Sequence, residues 1–267
     1  MPTLANYKAL LFDVDNTLSK IDKTISPATV ESLTQLSNSG YRIGVCTGRV
    51  LGGVEKYVLP LFPNNSLHVI SGGAQIVSGV GQILWQKVIP AEISRDICHR
   101  LLKAHAQFMI GTANTMALTP EFKKEFEKFR IPLILADLDS IHSWETPLIS
   151  VVHLTPEIRE IIESYPDLNT KEMMSSFGGT YIDITAHGVS KGTGVLEWCR
   201  ISEIRPTDVI GFGDSNNDLE FLQMMGFAVA MGNAADTIKQ TADRVIGHTN
   251  DDGLAKYLTD IMQGAEL

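Results

Sequence analysis

Short apolar runs that stop abruptly at a polar residue recur along this chain, with a helical stretch between one and the next. Ala9-Leu10-Leu11-Phe12 stops at Asp13, 42–46 stops at Thr47-Gly48-Arg49, and Val209-Ile210-Gly211-Phe212 stops at Gly213-Asp214. A short unbroken apolar run reads as a strand buried on both faces. After the first, Ser26-Pro27 reads as N-cap and first helical residue, with Val30, Leu33 and Leu36 on one face and Gly40 as the stop. A third strand follows at 67–70. Strand, helix, strand, helix, strand implies right-handed crossovers and a parallel sheet. The alternation returns after residue 186, with helices at 192–200, 218–225, 234–242 and 251–262 and strands at 209–212, 227–230 and 245–246.

The middle of the chain follows another rule. Residues 74–77 and 82–88 flank Ser78-Gly79-Val80-Gly81, which predicts a hairpin. Ile93, Ile97 and Leu101 share one helical face, and Phe122, Phe126 and Phe129 share another; the phenylalanines read as core. Short strand candidates lie at 108–110, 148–153 and 181–185, with a helix opening at Thr155-Pro156. The expected fold class is therefore α/β: a doubly wound, mainly parallel sheet with an inserted α+β cap. The core is expected at 1–79 and 187–267 and the cap at 80–186.

Composition narrows the function classes. Hydrophobic residues make up 44% and charged residues 20%, the balance of a globular protein with a real core. A net charge of -9 argues against a nucleic-acid partner. No apolar stretch approaches the length of a membrane-spanning helix, and the first residues lack the pattern of a signal peptide. Three scattered cysteines, Cys46, Cys98 and Cys199, read as reduced thiols, so a cytoplasmic location is expected.

The strand ends carry the chemistry. In open α/β sheets, ligands bind outside the carboxyl ends of the strands. Asp13 and Asp15 leave the first strand together. One carboxylate there can attack as a nucleophile, and the other can protonate a leaving oxygen and later activate water. Two solvated turn acids are the plain alternative. Asp214-Ser215-Asn216-Asn217-Asp218 loads another strand end with acids, and Asp214 and Asp218 lie about one helical turn apart. Hard oxygens converging with Asp13 suit Mg²⁺. A helix-capping aspartate would explain one of these acids but not the cluster. Thr47 and Gly48 offer a hydroxyl and free backbone N–H groups for phosphoryl oxygens, although Thr-Gly after a strand is commonly only a turn. Lys191 opens a helix, where a cation opposes the macrodipole. Neutralising a bound phosphate would explain it, as would a plain surface lysine.

Taken in order, these pieces resemble the haloacid dehalogenase (HAD) superfamily, and within it the Cof-like phosphatases with a large α/β cap of the type IIB kind. The resemblance rests on Asp13-Val14-Asp15-Asn16-Thr17, Thr47-Gly48-Arg49, Ser190-Lys191-Gly192, Gly213-Asp214-Ser215-Asn216-Asn217-Asp218, Ala230-Met231-Gly232-Asn233-Ala234 and Asn250-Asp251-Asp252-Gly253, and covers nearly the whole chain. It implies a Mg²⁺-dependent phosphatase of small phosphorylated metabolites, sugar phosphates or similar, working through an aspartyl-phosphate. It implies Asp13 as nucleophile and Asp15 as acid/base. It implies Thr47, Gly48, Lys191 and Asn217 on the phosphate, and Asp13, the Asp15 carbonyl, Asp214 and Asp218 on the metal. Arg49, Gly72 and Gly73 become possible substrate contacts, with Trp85, Lys87 and Asn114 as weaker cap candidates. Asn16 replaces the usual glycine of the first motif, and Gly72-Gly73-Ala74 replaces Asn-Gly-Ala. Asn tolerates a left-handed backbone, so the turn is expected to survive.

A phosphotransferase or phosphomutase of the same superfamily would use the same motifs. A non-enzymatic phospho-acceptor domain fits less well, because such domains are about half this length. Gly211-x-Gly213 lacks the third glycine of a dinucleotide loop. His68 and His99 read as structural.

Overall fold

The structure, a computed structural model, describes residues 2–128, 132–174 and 179–267; Phe129 lies outside them. The chain opens with β1 (Ala9–Phe12), α1 (Pro27–Asn38), β2 (Arg42–Val45) and α2 (Leu51–Val54). All four residues of β1 are buried, as an unbroken apolar run demands. Helix α1 starts where the sequence signals it: the Ser26 side chain accepts from the Thr29 N–H at 3.2 Å, and Pro27 takes the first helical position. Three antiparallel strands follow, β3 (Leu67–Ile70), β4 (Gln75–Ser78) and β5 (Ile83–Gln86).

The next segment contains α3 (Ala91–Lys103), β6 (Gln107–Gly111), β7 (Met116–Leu118), α4 (Pro120–Phe126), β8 (Leu135–Asp137), β9 (Ile149–Val152), α5 (Pro156–Glu163), β10 (Leu168–Met174) and β11 (Thr180–Ala186). The chain then returns through α6 (Lys191–Ser202), β12 (Val209–Gly213), α7 (Leu219–Leu222), β13 (Phe227–Ala230), α8 (Asp236–Thr241), β14 (Arg244–Val245) and α9 (Gly253–Met262).

The first and last segments share one five-stranded sheet in the order β14-β13-β12-β1-β2, parallel throughout. Cys46 continues it towards β3 through a parallel bridge to Val69. Helix α1 packs on α9, and α6 on α7. One apolar cluster, including Leu10, Phe12, Val45, Trp198, Phe212 and Leu258, fills this layer. The expected α/β core with an added antiparallel region is the observed architecture.

The second sheet has six strands in the order β10-β11-β9-β6-β7-β8 and is antiparallel except for β7 against β8. Its strands alternate cleanly. Phe108, Ile110, Ile149, Val151, Ile182 and Ile184 pack in one cluster with Ile97 and Leu101 of α3 and Ile158 and Ile162 of α5. Met109, Met116, Leu118 and Val152 point to the other face, with Phe122 of α4. Strands β7, β8 and β10 carry no strong sequence signal. Leu168–Met174 reads LNTKEMM and forms an edge, where polar side chains are normal.

The expected division at residue 80 falls in the turn between β4 and β5. Pairing continues past it: Ile76 opposes Trp85, and the Lys87 N–H donates to the Ala74 carbonyl at 2.8 Å. Ile89 is the first residue to pair within the second layer, with Thr146.

Candidate active site

The parallel register sets Phe12 beside both Val45 and Phe212, so three strand exits lie side by side. Asp13 follows β1, Thr47 lies two residues past β2, and Asp214 follows β12. All three are buried. The Asp13 N–H is anchored on the Phe212 carbonyl at 2.9 Å.

Lys191 reaches this point from the first position of α6. Ser190 caps that helix, its side chain accepting from the Thr193 N–H at 3.1 Å. The Lys191 side chain is 2% exposed, and its Nζ donates at 2.6 Å to both Asp13 Oδ1 and Asp218 Oδ1. Burial works against its charge, but Asp13 and Asp218 outweigh that and hold the ammonium charged. A cation at a helix start is thus answered by two carboxylates rather than by water.

Asp218 is fixed from behind, its Oδ2 accepting from the Asp214 and Ser215 N–H groups at 3.0 Å each. Gly213 makes this approach possible, since a Cβ there would sit 2.8 Å from the Asp218 Cβ. Thr17 Oγ1 donates to Asp214 Oδ1 at 3.3 Å. Carboxylate oxygens of Asp13, Asp214 and Asp218 all lie within 4.8 Å of one another. Burial first, and then the neighbouring carboxylates, pushes Asp13 upward and Asp214 up to about 7, with Lys191 opposing both. Fully ionised, the three carboxylates would exceed the one ammonium by two negative charges, which is why they resist ionisation without a cation. A hard divalent cation fits that donor set in charge and in ligand type.

Asp15 lives differently. Arg49 grips it bidentately, Nε to Oδ2 and Nη2 to Oδ1 at 2.8 Å each, and Lys23 Nζ adds a third contact at 2.8 Å. Burial pushes its carboxyl up, but Arg49 and Lys23 overcome this and hold it well below the usual carboxylate range. The Arg49 guanidinium also lies 5.1 Å from the centre of the Tyr57 ring. Asn16, at φ 59°, takes the left-handed turn expected of it.

A cavity of about 640 Å³ opens over these groups. Its floor includes Asp13, Asp15, Thr47, Gly48, Arg49, Asp214 and Asn217; Lys191 and Asp218 sit behind that floor. Asn217 Oδ1 accepts from Ser215 Oγ at 2.5 Å. Gly72 and Gly73 are not among the residues lining the cavity: they turn the chain at φ 65° and 104°, and a Cβ on Gly73 would strike the Ser190 carbonyl at 1.8 Å. The positive φ at both and the close packing at Gly73 account for these glycines without a ligand. Trp85, Lys87 and Asn114 are not among the lining residues either: Trp85 belongs to the β4–β5 hairpin, which packs on the core cluster, and Asn114 lies in the turn between β6 and β7. His68 is structural as expected: it is buried, burial lowers it to about 3, and its Nδ1 accepts from the Val45 N–H at 3.2 Å.

The cavity roof is the face of the second sheet carrying Met109, Met116, Ser150, Val152, Tyr181 and Asp183, with Phe122 and Phe126 of α4. The sequence reading missed this polar pair of Ser150 and Asp183. Asp183 had a signal: it is the lone acid in Tyr181-Ile182-Asp183-Ile184-Thr185, on the opposite face from two buried isoleucines. Lys23 had none, since a lysine in a loop after a strand is ordinary.

The haloacid dehalogenase-like hydrolase family matches residues 10–258. This chain belongs to that family, and it is an enzyme of the phosphatase class. A Haemophilus influenzae protein that carries a provisional phosphatase name is 28% identical over 262 residues, 95% of this chain and 98% of its own. The Escherichia coli pyridoxal phosphate phosphatase is 23% identical over 269 residues, 94% of this chain and 97% of its own. A haloacid dehalogenase-like hydrolase from Bacteroides thetaiotaomicron shares the fold, with a TM-score of 0.82 at 20% identity over 96% of this chain and 99% of that one. Among the described residues, no helix is long and apolar enough to cross a membrane.

Proposed function

We propose that this chain is a Mg²⁺-dependent phosphomonoesterase that hydrolyses small phosphorylated metabolites, with Asp13 as covalent nucleophile. One observation carries the reading: a buried lysine bridges Asp13 and Asp218 at 2.6 Å beside Asp214, at the carboxyl edge of a parallel sheet. Asp13, Asp214 and the Asp15 carbonyl would hold Mg²⁺, with Asp218 alongside. When bound, the ion neutralises the acids and polarises a phosphoryl oxygen.

Lys191, the Thr47 hydroxyl and the Gly48 N–H hold the phosphoryl oxygens, and Asn217 supports them from the β12 side. The Asp13 carboxylate attacks phosphorus in line, the ester oxygen departs with a proton from Asp15, and an aspartyl-phosphate forms. Water then attacks that phosphorus, Asp15 takes its proton, and Asp13 is regenerated with release of phosphate. Asp15 cannot donate while Arg49 and Lys23 hold it as a carboxylate. In this mechanism the substrate phosphate takes over Arg49 and Lys23, and the released Asp15 carboxylate picks up a proton from solvent before it gives one to the ester oxygen.

The layer between the two halves of the core serves as a cap whose closure excludes water. Its hinges fall near 87–89 and 186–188, later than the hairpin at residue 80, because pairing with the core persists to Lys87. The soluble interior of a cell is the compartment that suits this activity.

The decisive experiment is a rapid acid quench with a phosphate ester. The wild type should carry phosphate that hydroxylamine removes, and Asp13→Asn should carry none. Near-wild-type phosphate release by Asp13→Asn would overturn the reading, and positional exchange on a sugar bisphosphate without release would make the chain a mutase.

A further inference from the structure

The cavity roof is chemically lopsided. Met109, Met116, Phe122, Phe126, Val152 and Tyr181 give it an apolar surface. Its buried polar side chains are one pair on neighbouring strands, Ser150 opposite Asp183 in the β9–β11 register, with Glu172 and Thr180 at the outer edge of the lining. Ser150 and Asp183 are 9% and 8% exposed. Ser150 Oγ donates to Asp183 Oδ1. No described residue donates to Asp183 Oδ2, which lies on the cavity side, 3.7 Å from where a Gly48 Cβ would stand. Gly48 neighbours Thr47 on the floor, so this free oxygen faces the place where a phosphate ester's leaving group must sit. Burial, softened by Ser150 and Lys191, raises the Asp183 carboxyl to about 7.

Resting on the phosphatase reading, we propose that Asp183 is a specificity-determining residue, and that the roof takes phosphate monoesters whose leaving group is a planar aromatic ring with one hydroxyl or N–H at its edge. Thioether and phenyl groups pack favourably on an aromatic face. The ring-edge donor meets Asp183 Oδ2. A hexose carries hydroxyls all round. Against this roof most of them would lose water and gain no partner, which is the stronger form of discrimination. The buried pair fixes the orientation of the ring and therefore how the ester oxygen meets Asp15.

The test compares pyridoxal 5′-phosphate, phenyl phosphate and glucose 6-phosphate on the full chain with Mg²⁺. Turnover is measured on the wild type, and binding by calorimetry on Asp13→Asn, which holds ligand without consuming it. Pyridoxal phosphate should lead glucose 6-phosphate by about tenfold or more in both measurements. Asp183→Asn and Ser150→Ala should shrink the preference for pyridoxal phosphate over phenyl phosphate by about tenfold, since only the first ester carries a ring-edge donor. Met116→Gln should shift the balance towards glucose 6-phosphate. Preference for the sugar ester, or an Asp183→Asn loss equal for the two aromatic esters, would overturn the proposal. If no ester is hydrolysed and the binding order holds, the hydrolytic reading falls while the recognition stands.

Discussion

The floor and the roof of the cavity are built by opposite means. The floor takes its groups from strand ends, where the chain leaves the sheet and can present carboxylates, turns and free N–H groups. The roof takes its groups from strand middles, by simple alternation across β6, β9 and β11. The floor is crowded with charge in direct contact, Lys191 buried with Asp13 and Asp218, and Arg49 half-buried with Asp15. The roof holds methionine, phenylalanine and valine around the buried carboxyl of Asp183. A change on the floor breaks an electrostatic network, whereas a change on the roof alters one contact and leaves the ladder intact. On the proposed reading, chemistry is thereby separated from specificity within one cavity.

The largest effects belong to the floor. Asp13→Asn should lower kcat by about 10⁴-fold or more, because it removes the proposed nucleophile. Stopped-rate phosphate release measures it. A smaller loss would mean that the floor is not the reacting surface. Lys191→Ala should come next, and in stability as well as rate. It leaves Asp13 and Asp218 buried without their counter-charge, a change expected to destabilise by about 3–5 kcal/mol. Urea unfolding in chelator checks this, and an unchanged midpoint would show that the network is not under that constraint.

Metal should act on the same network. With Mg²⁺ at about 100 times its Kd, the chain should gain about 2.7 kcal/mol, and Asp214→Asn should remove most of that gain. Equal thermal shifts in wild type and Asp214→Asn would put the ion elsewhere.

This division also explains what the sequence revealed. Floor residues follow apolar runs directly, so Asp13, Thr47 and Asp214 could be found from the strand signal alone. Lys191 stood out because a lysine opening a helix needs a reason. Roof residues have no such marker. Met109 and Met116 look like any buried methionine, and Ser150 lies in a run that reads as core. Their role depends on which face of the sheet meets the floor, and that is a tertiary fact. The partner of Asp15 was hidden for the same reason: Arg49 is 34 residues away, and Lys23 sits in a loop without periodicity.

Arg49→Ala probes the boundary between the two surfaces, and a smaller effect is expected. Losing the bidentate contact frees Asp15 but removes a phosphate ligand, so kcat/KM should fall about 10- to 100-fold, mostly through KM. Arg49→Lys should recover only part of this, because an ammonium cannot reproduce the fork. A kcat-only loss would place Arg49 with Asp15 throughout the cycle instead of with the substrate.

A pH dependence separates the roof's carboxyl from those of the floor without touching the chemistry. Asp183 is raised to about 7 in the folded chain, mainly by burial, while an unfolded aspartate titrates near 3.9. Below the unfolded value both states are protonated, and the group favours neither. Between about 4 and 7 the unfolded chain has lost this proton and the folded chain still holds it. The folded state therefore binds more protons, and stability falls as pH rises, by about 1.4 kcal/mol per unit at most from this one group. Above the folded value the loss is complete. Asp214 is also raised to about 7, so the measurement belongs in saturating Mg²⁺, where that carboxylate is held ionised. Asp183→Asn keeps the shape and removes the proton. Its stability relative to wild type should rise steadily from pH 5 to 7 and then level off. Thermal unfolding at half-unit steps reads this difference directly. A flat difference would mean that Asp183 is solvated in the resting protein, and the roof would then lack the buried acceptor that sets it apart from the floor.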